Sequence, residues 1–61
     1  MLIIQLENED KEFDLFDQAI KFCEEEFGFE GEAWDHVVKS LSFSELYYFL
    51  EDDGICVISK P

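Results

Sequence analysis

The chain has 61 residues, and sixteen aspartates and glutamates against four lysines give it a formal net charge of -12 at neutral pH. A fold of this size buries only about 60% of the surface that its unfolded chain exposes, which excludes a multi-domain protein and an enzyme with a large enclosed pocket. With 48% hydrophobic and 16% aromatic residues the chain is too apolar for a disordered acidic tail, so we expect one small folded domain over residues 1–61.

The first two predicted elements are a short strand and a long helix. Residues 2–6 are branched and apolar, which is typical of a strand. A helix is predicted over residues 9–27, because Asn8 is a suitable N-cap and acids occupy the first turn. Gly28 supplies the C-terminal stop of this helix. Its apolar face, at helical spacing, consists of Phe13, Phe16, Ile20, Cys23 and Phe27.

Two shorter helices are predicted next. Residues 32–41 carry apolar side chains at helical spacing, which predicts the second helix. A capping box and a hydrophobic staple favour a third helix over residues 43–52. These two signals are formed by Ser42 with Glu45 and by Leu41 with Leu46, respectively.

A hairpin is the alternative to the third helix. Residues 46–50 are β-prone, and Asp53-Gly54 is a favoured tight turn. Residues 55–59 predict a strand in either case. The predicted fold class is therefore α+β, a small single domain ordered β-α-α-α-β, or β-α-α-β-β with the hairpin, in which the C-terminal strand pairs with the first. Helices are expected on one face of the sheet, whose edges stay open.

The acids are concentrated in the first half of the chain. Residues 7–35 hold twelve acids and two lysines, whereas residues 36–61 hold four acids and two lysines. A negative field repels nucleic acid and anionic membranes and attracts basic surfaces, so we expect a basic protein partner and no direct binding to nucleic acid or membrane. Residues 1–6 are too short for a signal peptide or a membrane span, which predicts a cytoplasmic protein.

On the predicted first helix, acids from Asp10 to Glu25 fall on one side in a row about 22 Å long at 1.5 Å per residue. Carboxylates three or four positions apart lie about 5–6 Å from one another, which is close to the phosphate spacing along a nucleic-acid strand. A protein that binds phosphates can therefore bind such a row. An ordinary solvated helix face is the alternative. Acids at positions 24–26 weigh against that alternative, because the last turn of a helix is the negative end of its dipole.

The aromatic residues are the second informative feature. Ten of them in a chain this short predict that some stay exposed as anchors of an interface, with Trp34 and the two tyrosines as the natural candidates. The alternative is that all ten fill a small core. The residues from which the exposed ones are expected are Phe22, Phe27, Phe29, Trp34, Tyr47 and Tyr48.

The sequence contains no motif that supplies a reaction or a metal site. It has no nucleophile elbow, phosphate loop or calcium-loop pattern. Cys23, Cys56 and the single histidine, His36, do not have the spacing of a metal site, and the cysteines are expected to be reduced core thiols. We therefore predict no enzymatic activity, no cofactor and no metal.

The segment from Phe27 to Asp35, with aromatics and glycines leading to Trp34-Asp35 on a second helix, resembles the barstar family of ribonuclease inhibitors. The resemblance covers less than half of the chain, and the glycine-to-tryptophan spacing departs from the pattern of that family. No residue roles are carried over. The resemblance implies that a small acidic protein can inhibit a nuclease by presenting carboxylates where phosphates bind.

The sequence predicts a non-enzymatic acidic inhibitor or regulator that mimics nucleic-acid phosphates and binds a basic, nucleic-acid-handling enzyme. Small size and extreme charge fit a phage-encoded anti-host factor in the host cytoplasm. The alternative is a small assembly module or homodimeric subunit whose aromatic face is the interface. The predicted partner-binding residues are Asp10, Asp14, Asp17, Glu24, Glu25, Glu26, Glu30, Glu32, Trp34 and Asp35.

Overall fold

Three antiparallel strands and three helices make up the fold in the computed structural model, which describes residues 1–60. The strands form one sheet in the order β2-β1-β3. The α+β class, the three helices and the pairing of the two terminal strands are confirmed. In chain order the elements are β1 (Leu2–Gln5), β2 (Asp10–Phe13), α1 (Phe16–Phe27), α2 (Glu32–Ser40), α3 (Phe43–Asp52) and β3 (Val57–Ser59).

The helices cover one face of the sheet. Because side chains alternate along a strand, Leu2 and Ile4 of β1 point to the same side, and both are completely buried in a core shared with the helices. Ile3 points to the opposite side, where it lies across from Ile58 of β3. Met1 and Ile58 are 36% and 37% exposed. The outer face of the sheet is therefore partly apolar and carries no helix.

The main departure from the prediction is at the start of α1. Instead of a helix from residue 9, Asp10–Phe13 forms β2 and pairs with β1 in an antiparallel hairpin. The N–H of Leu6 donates to the carbonyl of Glu9 at 2.8 Å, so Asn8 lies in the hairpin turn and is not a helix cap. The predicted helix is wrong here because a central strand needs backbone partners on both sides, and β2 supplies the second set of hydrogen bonds to β1.

The predicted helix ends and caps are largely confirmed. Gly28 adopts the left-handed conformation at φ +69° after α1, and its N–H donates to the carbonyl of Glu24 at 3.0 Å. At the start of α3, the Ser42 hydroxyl accepts a hydrogen bond from the N–H of Glu45 at 3.4 Å. The helix over 43–52 is correct and the alternative hairpin is wrong, because this local cap favours the helix.

Leu41 joins α2 to α3 in a strained conformation that gives a first prediction. Its φ is +53°, and its side chain is 73% exposed, so the predicted staple with Leu46 buries little of it. The left-handed conformation costs a non-glycine residue roughly 1–2 kcal/mol, and glycine loses about 0.5–1 kcal/mol through the entropy of the unfolded chain. We expect Leu41→Gly to raise the free energy of unfolding in urea by about 0.5–1 kcal/mol.

Leu41→Ala is the matched control, because it shortens the same side chain and keeps the backbone strain. It should not gain stability. A loss of stability in Leu41→Gly would show that the leucine side chain contributes more through contact with α3 than the strain costs.

Candidate interaction surface

Every carboxylate side chain of the protein lies on the surface. All sixteen aspartates and glutamates are exposed. Within residues 1–60 a single ion pair forms, between Lys11 Nζ and Glu9 Oε1 at 2.9 Å. The remaining carboxylates of this range form no ion pair, and most of them are available to a cation from a partner.

The acids do not form the single helical row that was predicted. Asp10 lies on β2 and Asp14 lies between β2 and α1, so the row over both residues is wrong. Asp17, Lys21, Glu24 and Glu25 remain on α1 at three- and four-residue spacing. That part spans about 12 Å at 1.5 Å per residue. The physical reason is the same hairpin, because of which α1 begins at Phe16 and residues 9–15 lie outside it.

The last turn of α1 carries three glutamates, as predicted, and no basic residue. Glu24 also has a role inside the fold, because its Oε2 accepts a hydrogen bond from the Trp34 indole N–H at 3.0 Å. Glu25 and Glu26 have no such partner. The end of α3 has the same arrangement, again with no basic residue in the last turn. The acids at this second helix end are Glu51, Asp52 and Asp53.

The hairpin brings acids together that are distant in sequence. Glu7 and Glu9 line a pocket of about 400 Å³ with Glu26 from the end of α1 and with Lys11. The hydrogen bond and the charge of Glu9 raise the pKa of Lys11 above its ordinary value, and the charge of Glu26 adds to this. Glu7 and Glu9 were not among the predicted contact residues, because a helix from residue 9 was expected in place of the β1–β2 hairpin. In the sequence, the only local indication of this arrangement was the turn between the two short strands.

The predicted acids at the α1–α2 junction are exposed as well. Glu30 lies in the connection, Glu32 begins α2 and Asp35 lies in its first turn. Acids at the first turn of a helix interact favourably with its dipole. Glu32 and Asp35 therefore have a structural explanation that Glu25 and Glu26 at the end of α1 lack.

Trp34 is not a surface anchor, which corrects the prediction. It is 1% exposed, and its ring lies against those of Phe29 and Phe49, with centroid distances of 5.0 and 5.2 Å. The side chain points inward because α2 packs its apolar side on the core, where Glu24 satisfies the indole N–H. Tyr48, at 65% exposed, is the aromatic residue that stays in solvent. The phenylalanines are all partly buried, so the alternative of a core-filling role holds for most of the aromatics.

A groove between α2 and α3 was not predicted. Its cavity volume is about 680 Å³. Residues of α3 at positions 45, 48, 49 and 52 form one side of it. Their helical spacing can be seen in the sequence, but the groove can be predicted only when the position of α2 is known. The lining residues are Ala33, His36, Val37, Glu45, Tyr48, Phe49, Glu51 and Asp52.

The two cysteines lie in different environments, and only one matches the prediction of core thiols. Cys23 is buried, whereas Cys56 is exposed, because it precedes β3 at the surface. Burial raises the pKa of Cys23 to about 12, and the charge of Glu24 adds to this effect. At mildly alkaline pH the Cys23 thiol is thus both inaccessible and protonated.

We expect the native protein to react rapidly with a coloured thiol reagent at one site per chain, and at two sites in denaturant. Cys56→Ser should remove the fast reaction, and Cys23→Ala should leave it unchanged. Rapid reaction of both thiols in the native protein would show that α1 does not bury Cys23.

The charged surface carries no metal-binding arrangement among the described residues: within 1–60, no three His, Cys, Asp or Glu side chains come together in a way that holds an ion. In the same range, no helix is both long and apolar enough to cross a bilayer. Comparisons of the chain with protein-family models, with curated proteins and with solved structures give no match.

Proposed function

We propose that this protein is a non-enzymatic acidic inhibitor or regulator, which binds a basic, nucleic-acid-handling enzyme by presenting carboxylates in place of phosphates. The observation that carries the proposal is the exposure of all sixteen carboxylates with a single ion pair among residues 1–60. A surface of this kind attracts Lys- and Arg-rich sites and repels nucleic acid itself. The site of action is the cytoplasm, that of the host if the protein is encoded by a phage.

The placement of the acids supports binding more than solubility. Glu25 and Glu26 lie at the negative end of the α1 dipole, where each acid costs about 0.3–1 kcal/mol, and within residues 1–60 neither forms an ion pair, although Lys11 lies near Glu26. Solubility needs only net charge, which positions away from helix ends supply at no such cost. A partner whose basic groups contact this end of α1 compensates the unfavourable charge on binding.

The contact surface differs from the predicted one in two respects. The hairpin acids Glu7 and Glu9 join Glu26 beside one pocket, so the surface extends from α1 onto the sheet. Trp34 acts inside the fold, where it orients Glu24 through the indole hydrogen bond. The outer side of α1 and the hairpin end therefore form the main surface of the proposal.

The experiment is capture of partners from a host lysate by the tagged protein, with washes of increasing salt and identification of the eluted proteins by mass spectrometry. We expect nucleic-acid enzymes that elute as the salt rises, because exposed charge contacts are screened. Capture of only its own copies, or of an acidic partner that resists salt, would contradict the proposal.

A second candidate function, a small assembly module or homodimer, is favoured by the outer face of the sheet. Met1 and Ile58 are exposed apolar residues there, Ile3 between them is only 7% exposed, and the outer edge of β3 has no partner strand among residues 1–60. This face takes the place of the aromatic face that was predicted, since the aromatic rings are mostly buried. Light scattering of the purified protein separates the candidates, because an apolar dimer holds or tightens in high salt.

A further inference from the structure

The groove between α2 and α3 has an apolar floor and an acidic rim. Ala33, which is exposed, and Phe49, which is partly buried, supply the accessible apolar groups, and Val37, at 4% exposed, lies beneath them. Glu45 comes from the first turn of α3, and the acids Glu51 and Asp52 come from its last turn. The carboxylates thus stand at the two ends of the groove, about 10 Å apart along the helix axis at 1.5 Å per residue.

The shape of the groove favours a segment of a larger partner. It runs along the surface and is open to solvent, whereas sites for small molecules enclose most of the ligand. Its length matches about two turns of a helix, and its volume of about 680 Å³ admits apolar side chains that project from such a helix. Tyr48, which is 65% exposed beside the groove, is the residue type that most often contributes binding energy at such a contact.

The negative charge of the groove indicates that the segment it binds is basic. Three carboxylates and no lysine are among the lining residues, so Lys or Arg side chains at both ends of an incoming segment complement it. A second copy of this chain is a poor occupant, because two surfaces that belong to molecules of net charge -12 repel each other. A purely apolar segment is also a poor occupant, because it has no cation to pair with the carboxylates at the rim of the groove.

We propose that the α2–α3 groove binds a basic amphipathic helix of the partner protein, with apolar side chains on Ala33 and Phe49 and basic side chains at Glu45 and Asp52. This inference rests on the proposed function, since it names a second contact on the same basic partner. The mode of recognition is an amphipathic helix laid in a groove, read through anchors three and four residues apart.

The test uses a synthetic helical peptide of about 12 residues with leucines on one face and lysines on the other. We expect its addition to shift the backbone amide resonances of α2 and α3 and to change the fluorescence of Trp34, whose ring contacts Phe49. A peptide of the same composition, with its leucines spread around the helix, should bind at least about tenfold more weakly.

The groove variants are Tyr48→Ala and the pair Glu45→Gln with Asp52→Asn. We expect each to weaken peptide binding at least about tenfold. The matched control, Glu12→Gln with Asp53→Asn, removes the same charge from two exposed residues outside the groove lining and outside the α1 surface, and should change the affinity less than about threefold. Equal weakening by the pair and the control would overturn the proposal, because it indicates attraction to net charge alone. Shifts confined to other elements, or groove shifts that depend on protein concentration without peptide, would overturn it as well.

The peptide experiment tests the groove and the lysate capture tests the proposed function, so a negative result in one does not imply a negative result in the other. The peptide is a designed sequence and no part of a nucleic-acid enzyme, so its binding to the groove does not depend on the identity of any captured protein. If capture fails while the groove variants behave as expected, the groove assignment stands and the phosphate-mimic proposal fails.

Discussion

Trp34→Ala is expected to lower the free energy of unfolding by about 3–5 kcal/mol, the usual cost of removing a buried aromatic side chain. The ring is 1% exposed, contacts Phe29 and Phe49, and donates its N–H to Glu24 on α1. It therefore connects α1, α2 and α3 at one point. A domain of this size has roughly 3–5 kcal/mol of stability in total, so the variant should be largely unfolded in the absence of denaturant.

Circular dichroism measures the loss of folded structure in this variant, and urea denaturation measures the change in the free energy of unfolding. Two control variants are compared with it. Trp34→Phe keeps a six-membered aromatic ring in the core but removes the five-membered ring of the indole with its N–H, so we expect a smaller loss of about 1–2 kcal/mol. Tyr48→Ala removes an exposed aromatic side chain and should change the stability by less than about 0.5 kcal/mol. A folded Trp34→Ala variant with near wild-type stability would show that Trp34 is a surface residue after all.

The second large effect is expected from charge reversal at the end of α1. If the proposed function is correct, Glu25→Lys with Glu26→Lys should weaken binding to a captured nucleic-acid enzyme by at least about a hundredfold at low salt, because the proposal places both acids against the partner's basic site. The same pair should raise the free energy of unfolding by about 0.5–1 kcal/mol, since lysines at this end of a helix interact favourably with its dipole. Glu24 is left unchanged because it accepts the Trp34 hydrogen bond.

The matched control for this pair is Glu12→Lys with Asp53→Lys. Both residues are exposed and lie outside the α1 surface and outside the groove, and the change in net charge is the same. We expect binding to the enzyme to fall less than about tenfold in this control, through the weaker overall attraction. If both pairs weaken binding equally, the acids act as a diffuse field and not as a positioned surface.

Local signals predicted the second half of the fold well. Half of the predicted capping box forms, since the Ser42 hydroxyl accepts from the Glu45 N–H while the Ser42 N–H donates to Ser40 Oγ, and α3 begins and ends where the sequence indicates. Gly28 ends α1 for an equally local reason, the absence of a Cβ in a left-handed conformation. These features depend on residues within one turn of each other, which is why the sequence alone was sufficient.

The features that the sequence did not predict depend on which strands pair and on how the helices pack. Residues 10–13 have the acids and the phenylalanine expected of a first helical turn, yet they form a strand because β1 lies beside them. That change removed two acids from the predicted row and brought Glu9 beside Glu26. The burial of Trp34 and the groove beside Tyr48 likewise depend on how α2 packs against its neighbours. The acidic character of the surface was evident from composition, but its shape was not.

The most direct test of the central claim is a competition measurement on the enzyme that the lysate capture identifies. A fluorescent nucleic acid is first bound to that enzyme, and its anisotropy is followed as this protein is added. If carboxylates occupy the phosphate sites, the anisotropy falls to the value of free nucleic acid, and Glu25→Lys with Glu26→Lys abolishes the fall. A ternary complex, with the nucleic acid still bound when the enzyme is saturated with this protein, would contradict phosphate mimicry.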